Sequence, residues 1–295
     1  MSKNINEVAP EPVSPTLSQA EKGEIFLSMH HQNEAFIIPN PWDIGTARLL
    51  AQLGYRALAT TSAGYAFSIG QRDNTIDRET MMRHVGDIVK ATNLPVSADL
   101  ENGFGHSPET VAETIQLSSN VGLVGASIED ATNQKDSPIY EFELAVDRMR
   151  AAVEAKRSFA HPFVLTGRSE NYLVGRPDLK DTIKRLQAYQ DAGADVLYAP
   201  GVTSKDDIAA IVRSVDRPVN VVMGLQGVKL SLAELSEIGV KRISVGSALS
   251  RAALGAFLRA ANEMLEKGTF DFADDAVSYA EIDAMFVADT SKPKM

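Results

Sequence analysis

The stretch PVSADLENGFGH (residues 95–106) starts at a proline, runs through apolar and small residues, and ends on Asp99 and Glu101 before an amide and two glycines. A short apolar run that stops on charge and then turns reads as a buried strand delivering polar side chains to one end of a sheet. The motif recurs. AFIIP (35–39), RALATTS (56–62), GASIED (125–130), PFVLTGR (162–168), ADVLYAP (194–200), PVNVVMG (218–224) and KRISVG (241–246) bring the number of such runs to eight.

Between them lie segments of helical periodicity, among them WDIGTARLLAQLG (42–54), RETMMRHVGDIVKATN (78–93), SPETVAETIQLSSNVG (107–122) and DLKDTIKRLQAYQDAG (178–193). Several end in glycine, and several strands are announced by proline. Apolar strands alternating with helices predict a parallel sheet covered on its outer face. Eight units favour a closed α/β barrel of the (β/α)8 TIM type over an open doubly wound sheet. No G-x-G-x-x-G follows the first strand, which weakens a dinucleotide-binding reading.

Residues 1–17, with Pro10, Pro12 and Pro15 among polar neighbours, are expected to be a flexible lead-in. An amphipathic helix is expected from Leu17, with Ser18 as its N-cap. The barrel is expected over 18–265, followed by a C-terminal helical extension over 266–295.

Composition narrows the function. The chain has 295 residues, 44% hydrophobic and 23% charged, enough for one large core. A formal charge of −10, with no clustering of Lys and Arg beside aromatics, argues against nucleic acid as a partner. The absence of cysteine excludes disulfides, thiolate metal sites and a cysteine nucleophile. With no secretory h-region and no run of ~18 apolar residues, a cytoplasmic protein that does not engage a membrane is expected.

In such a barrel the C-terminal ends of the strands share one mouth, where chemistry is placed. Asp99 and Glu101 close the third strand, and two apart on a strand they face the same side. Glu129 closes the fourth, Arg168 and Glu170 the fifth, and Asn220 belongs to the seventh. Three converging carboxylates repel unless something neutralises them. An all-oxygen set without His or Cys suits Mg2+, with Mn2+ as the other choice. Arg168 offers a planar fork for a substrate carboxylate or a developing oxyanion. Plainer alternatives stand beside these. Asp130 or Asp73 as helix N-caps is one, and Arg168 paired structurally with Glu170 or Glu129 is another. His30 and His31 are expected to be solvated, and His84 and His161 structural.

The segments PNPWDIGTARLLAQLGYRALATTSAG (39–64), GQRDNTIDRE (70–79), SADLENGFG (97–105), SIEDATNQK (127–135) and TGRSENYLVGR (166–176), in this order, resemble the isocitrate lyase/phosphoenolpyruvate mutase superfamily. The resemblance implies a (β/α)8 barrel whose eighth helix is swapped with a partner subunit in a homodimer or homotetramer. It implies Mg2+ and small 2-oxo or 2-hydroxy dicarboxylates or phosphonates as substrates. Asp99 is then the direct metal ligand, while Glu101, Glu129 and Asp73 hold metal-bound waters and the last two share in catalysis. Ser62, Ala63 and Gly64 bind the substrate carboxylate, Arg168 binds the enolate oxygen, and Asn220 is a further substrate contact. The lyases of this superfamily carry a K-[KR]-C-G-H loop where this chain has ATNQKDSPIY (131–140), so isocitrate or methylisocitrate cleavage by the usual route is not expected. A Mg2+-dependent carbon–carbon lyase is expected first. Phosphoenolpyruvate or phosphonopyruvate chemistry is the alternative, and a non-catalytic oxo-acid binder the second. Tyr65 and Lys135 are the guesses for proton transfer.

Overall fold

The structure, a computed structural model, describes residues 16–286. All but the last two residues of the expected lead-in, and the expected extension beyond residue 286, lie outside the described residues. Leu17 is anchored by its N–H, which donates to Asn93 Oδ1 at 2.8 Å.

Eight parallel strands form the inner wall: β1 (Phe36–Ile38), β2 (Leu58–Ala59), β3 (Val96–Asp99), β4 (Gly125–Glu129), β5 (Val164–Arg168), β6 (Val196–Tyr198), β7 (Val219–Val222) and β8 (Arg242–Ser244). Ladders join β2 through β8 in sequence, and β8 pairs back onto β1. Across the β1–β2 seam the Ala59 N–H donates to the Pro39 carbonyl at 3.0 Å. Asn40 spans the same gap. Its Nδ2 donates to the Thr60 carbonyl, while its Oδ1 accepts from the N–H groups of Val245 and Gly246. The sheet is a nearly closed (β/α)8 barrel, as the rhythm of apolar runs predicts.

The helices are α1 (Gln19–Met29), α2 (Ile44–Gln52), α3 (Ser62–Ser68), α4 (Arg78–Ala91), α5 (Pro108–Asn120), α6 (Phe142–Arg157), α7 (Leu179–Ala192), α8 (Lys205–Arg213), α9 (Leu232–Glu237), α10 (Ala248–Lys267) and α11 (Tyr279–Ala284). Ser18 caps α1 in a reciprocal capping box with Glu21. The expected second strand is cut to two residues because Thr61 becomes the N-cap of α3, its hydroxyl accepting from the Gly64 N–H at 3.2 Å.

Phe26 and Met29 of α1 pack with Ile38, Ala57, Val124, Val164 and Val196 into a plug at the N-terminal ends of the strands. Burying each of those two large side chains contributes about 1.5–3 kcal/mol. This packing corrects the expectation for His30. It is 2% exposed, held edge-on between Phe26 and Phe36, and its Nδ1 donates to the Phe26 carbonyl at 2.8 Å. His31 is exposed.

The chain after β8 behaves differently. Helix α10 buries only Ser250, leaving Phe257, Leu258 and Leu265 exposed. No helix among the described residues is long and apolar enough to cross a membrane.

Candidate active site

A cavity of about 500 Å³ opens at the C-terminal ends of the strands. Asp73, Asp99, Glu101, Glu129, Arg168 and Asn220 all line it, so residues far apart in sequence meet where the strand ends predict. Ser62 and Ala63 line it as well.

Asp99 is the last residue of β3. Its Oδ2 accepts from the Ser62 N–H at 3.2 Å and from the Ser62 hydroxyl at 2.9 Å. The same hydroxyl stands 3.4 Å from Asp73 Oδ1. Asp73 is no N-cap, since Asp77 caps the helix that follows, α4. Burial first, then repulsion from Asp99, raises the Asp73 carboxyl above the ordinary range.

Glu101 reaches the cavity by a route the alternation rule does not foresee. The strand stops at Asp99, and Glu101 sits in the left-handed region at φ 48°. For a non-glycine residue that backbone is costly, and such strain collects where geometry serves a function. The following Asn102-Gly103 completes the turn, with Gly103 at φ 80°. Glu101 Oε1 is buried with no hydrogen-bond partner. Burial, then Asp99, then Asp73 push its carboxyl up to about 8.

Arg168 compensates the cluster from β5. Its Nη1 lies 3.3 Å from Asp99 Oδ1 and 3.2 Å from Glu129 Oε2, its Nε donates to Glu170, and its guanidinium stands 5.3 Å from the Tyr198 ring centre. Even so, burial holds Glu129 well above the usual carboxylate range. Asp99, Glu129 and Glu170 pair with this one guanidinium, and Asp73 and Glu101 line the same cavity without an ion pair to it. One guanidinium does not offset three carboxylates in contact with it and the buried, unpaired Glu101 beside them.

The donor set is all oxygen, which suits a hard divalent cation, and the orphaned Glu101 Oε1 is the atom that most needs one. The carboxylates do not close into a cage by themselves. Among the described residues, no three His, Asp or Glu side chains are grouped tightly enough to enclose a metal.

The acid-bearing turn is held from behind. Arg148 of α6, 1% exposed, donates to the carbonyls of Gly105 at 2.7 Å and His106 at 2.6 Å, and also to that of Asn102. It lies 4.1 Å from the centre of the Tyr140 ring, whose hydroxyl bonds His106 Nδ1 at 2.7 Å. Tyr140 ends the loop 131–140 that carries Asn133 to the cavity, so turn and loop share one support.

Several expectations are corrected. Gly64 does not line the cavity, and its N–H is taken by Thr61. It is glycine for packing, since a Cβ there would stand 2.6 Å from Thr61 Cγ2. Asp130 is no N-cap either: it is buried, accepting from Tyr189 at 2.5 Å, Arg185 at 3.2 Å and the Glu170 N–H at 2.8 Å. Tyr65 stacks on His84 at 3.6 Å, and neither it nor Lys135 lines the cavity. Arg168 does pair with Glu170 and Glu129, so its structural and chemical readings coincide.

Arg242 and Arg251 line the cavity and went unread in the sequence. Arg242 stands two residues before Ser244 on one strand and so shares its inward face, a signal the alternation rule supplies. Arg251 lies four residues beyond Ser247, one helical turn along α10.

The family model for phosphoenolpyruvate phosphomutase matches residues 26–265. A Burkholderia cenocepacia J2315 structure, named only provisionally as a lyase/mutase, superposes with a TM-score of 0.90 at 63% identity, covering 92% of this chain and 97% of that one. The structure of 2,3-dimethylmalate lyase, a member of the phosphoenolpyruvate mutase/isocitrate lyase superfamily, superposes with a TM-score of 0.79 at 26% identity, covering 92% and 95%. An uncharacterised Mycobacterium tuberculosis protein is 31% identical over 264 residues, 89% of this chain and 96% of its own length.

Proposed function

Because this chain belongs to the phosphoenolpyruvate phosphomutase family, we propose that it is a Mg2+-dependent carbon–carbon lyase of a small 2-oxo or 2-hydroxy dicarboxylate, of the oxaloacetate or alkylmalate type. The observation that carries this reading is the over-supply of carboxylates around Arg168, with Glu101 Oε1 left buried and unpaired. Asp99 would hold the cation directly, and Glu101, Glu129 and Asp73 would hold its waters. Mn2+ would serve the same set. Bound there, the cation supplies Lewis-acid polarisation of the substrate oxygen.

The chain's own residues have separable tasks. Ser62 fixes Asp99 through two hydrogen bonds, so the carboxylate keeps one orientation. Ser62 and Ala63, at the start of α3, face the substrate carboxylate. Arg168, immobilised by three carboxylates, aims its fork at the oxygen that becomes negative when the bond to C3 breaks and its electron pair enters the enolate. Pre-orientation of that donor costs no reorganisation during the reaction. Arg251 at the rim adds positive charge toward an incoming dianion. A second copy of the chain covering the apolar face of α10 is part of this reading.

The family's name favours a second reading, phosphorus–carbon chemistry on phosphoenolpyruvate or phosphonopyruvate. One experiment separates the two. Proton and phosphorus NMR time courses are run with Mg2+ on oxaloacetate, a 2-alkylmalate and phosphonopyruvate, comparing wild type with Asp99→Asn. Pyruvate, or oxalate plus acetate, formed from oxaloacetate only by wild type, or cleavage of the alkylmalate, supports the lyase. Turnover of phosphonopyruvate alone moves the assignment to the second reading, and no enzyme-dependent change in any substrate defeats both.

A further inference from the structure

Arg242 is a second guanidinium in the same cavity, 5% exposed. Strand register runs Arg168, Tyr198, Asn220, Arg242 across β5 to β8, and all four line the cavity. Their partners differ in kind. Arg168 touches three carboxylates, whereas no Asp or Glu among the described residues lies within ion-pair distance of Arg242.

The contacts of Arg242 are all neutral. Nε donates to Asn220 Oδ1 at 2.9 Å, Nη2 to Thr166 Oγ1 at 2.9 Å, and Nη1 lies 3.4 Å from His30 Nε2. His30 gives its Nδ1 proton to the Phe26 carbonyl, so Nε2 is the accepting nitrogen. These bonds use three of the five N–H groups that a guanidinium carries. A cation removed from water without a counter-charge is expensive to keep, and a bound anion is the usual compensation. Asn220 is committed on both sides, since its Nδ2 donates to Ser244 Oγ at 3.0 Å. Its Oδ1 orients the arginine, and the amide keeps one further N–H beside the cavity.

We propose that Arg242 is the floor of the substrate site and binds, through its unused N–H groups, the second carboxylate of a dicarboxylate, with Asn220 and Thr166 as its positioning residues. This rests on the reading of the mouth as a Mg2+-dependent oxo-acid site. The substrate then spans the barrel, with its reacting end at Arg168 and its other anionic end at Arg242. Monocarboxylates engage only the first.

The test is calorimetric titration of pyruvate, malonate and succinate, with Mg2+ present, into wild type, Arg242→Met and Arg242→Lys, each checked for folding by its thermal transition. In Arg242→Met the better-bound dicarboxylate is expected to weaken about ten- to a hundredfold while pyruvate is unchanged, as loss of one charged hydrogen-bonding contact implies. Arg242→Lys keeps the charge but not the fork, and is expected to lose several-fold. It carries the test alone if the methionine variant does not fold. Equal weakening of mono- and dicarboxylates, or no weakening in a folded variant, overturns the inference. Pyruvate binding with no dicarboxylate dependence on Arg242 overturns the inference and leaves the oxo-acid reading intact. Failure of wild type to bind any of the three overturns both.

Discussion

Along β3 to β5 the barrel gathers Asp99, Glu101, Glu129 and Glu170 around a single arginine, whereas along β7 and β8 it sets Arg242 among Asn220, Ser244 and Thr166 without an acid. The first arc has anions in excess, and the carboxyls of Glu101 and Glu129 are driven toward the neutral form. The second has a cation and nothing to balance it. A barrel core gains nothing in stability from either arrangement. Both become reasonable if the complete site includes a divalent cation on one side and a substrate carboxylate on the other. The comparison teaches that charge imbalance inside a core, more than the presence of charge, marks what the site is built to receive.

The largest effect should come from Arg168. Replacing it by Met strands the buried carboxylates of Glu129 and Glu170 and the half-buried one of Asp99, with an expected stability loss of about 3–5 kcal/mol and a fall in turnover of roughly a thousandfold. Arg242→Met removes a charge that has no ionic partner, so its loss in urea denaturation should stay below about 2 kcal/mol. Equal losses at the two arginines would erase the distinction drawn between the arcs.

Arg148 comes next in size. It clamps the carbonyls of residues 102, 105 and 106 without touching the cavity. Arg148→Met is expected to weaken Mg2+ binding about tenfold and to speed proteolysis of the loop 131–140, with Arg148→Lys in between. Unchanged Mg2+ affinity in a folded variant would show that the clamp supports the fold and not the acid turn.

The smallest effects are slopes in pH, measured by denaturation in chelator. Glu101 has a carboxyl near 8 when folded against an ordinary 4.5. The folded state therefore keeps a proton that the unfolded state has released, and stability should fall as pH rises from about 4.5 to about 8. His30 works in the other direction. Burial first, then the Arg242 charge, lower it to about 3 from 6.5, so its contribution is complete above 6.5 and lost as pH falls toward 3. Glu101→Gln should make the upper limb shallower and leave the lower limb unchanged, and His30→Gln should do the reverse.

Much of this was legible in the sequence, for definite reasons. A parallel strand buried on both faces must be apolar until it reaches the mouth, so acids ending such runs announce both fold and site. Asp99, Glu129 and Arg168 are read directly by that logic. Glu101 reached the right place for a different reason, because its turn bends into the left-handed region and carries the side chain to the cavity. His30 was not legible as buried: its helix looks like an outer one, and only tertiary packing turns α1 into the plug of the barrel. Gly64 has the look of a substrate-binding turn, yet close contact with Thr61 is what requires glycine there. Arg242 could be read from its spacing to Ser244, but a charged residue two positions before a strand end becomes informative only once its partners prove neutral.

The most direct measurement is thermal unfolding of wild type and Asp99→Asn across a Mg2+ titration. At Mg2+ a hundredfold above its dissociation constant, wild type should gain about 2.7 kcal/mol, roughly a 5–10 °C rise in Tm, and Asp99→Asn should gain almost none. If the two proteins respond alike, or neither responds, the acid cluster is not a cation site and the account built on it fails.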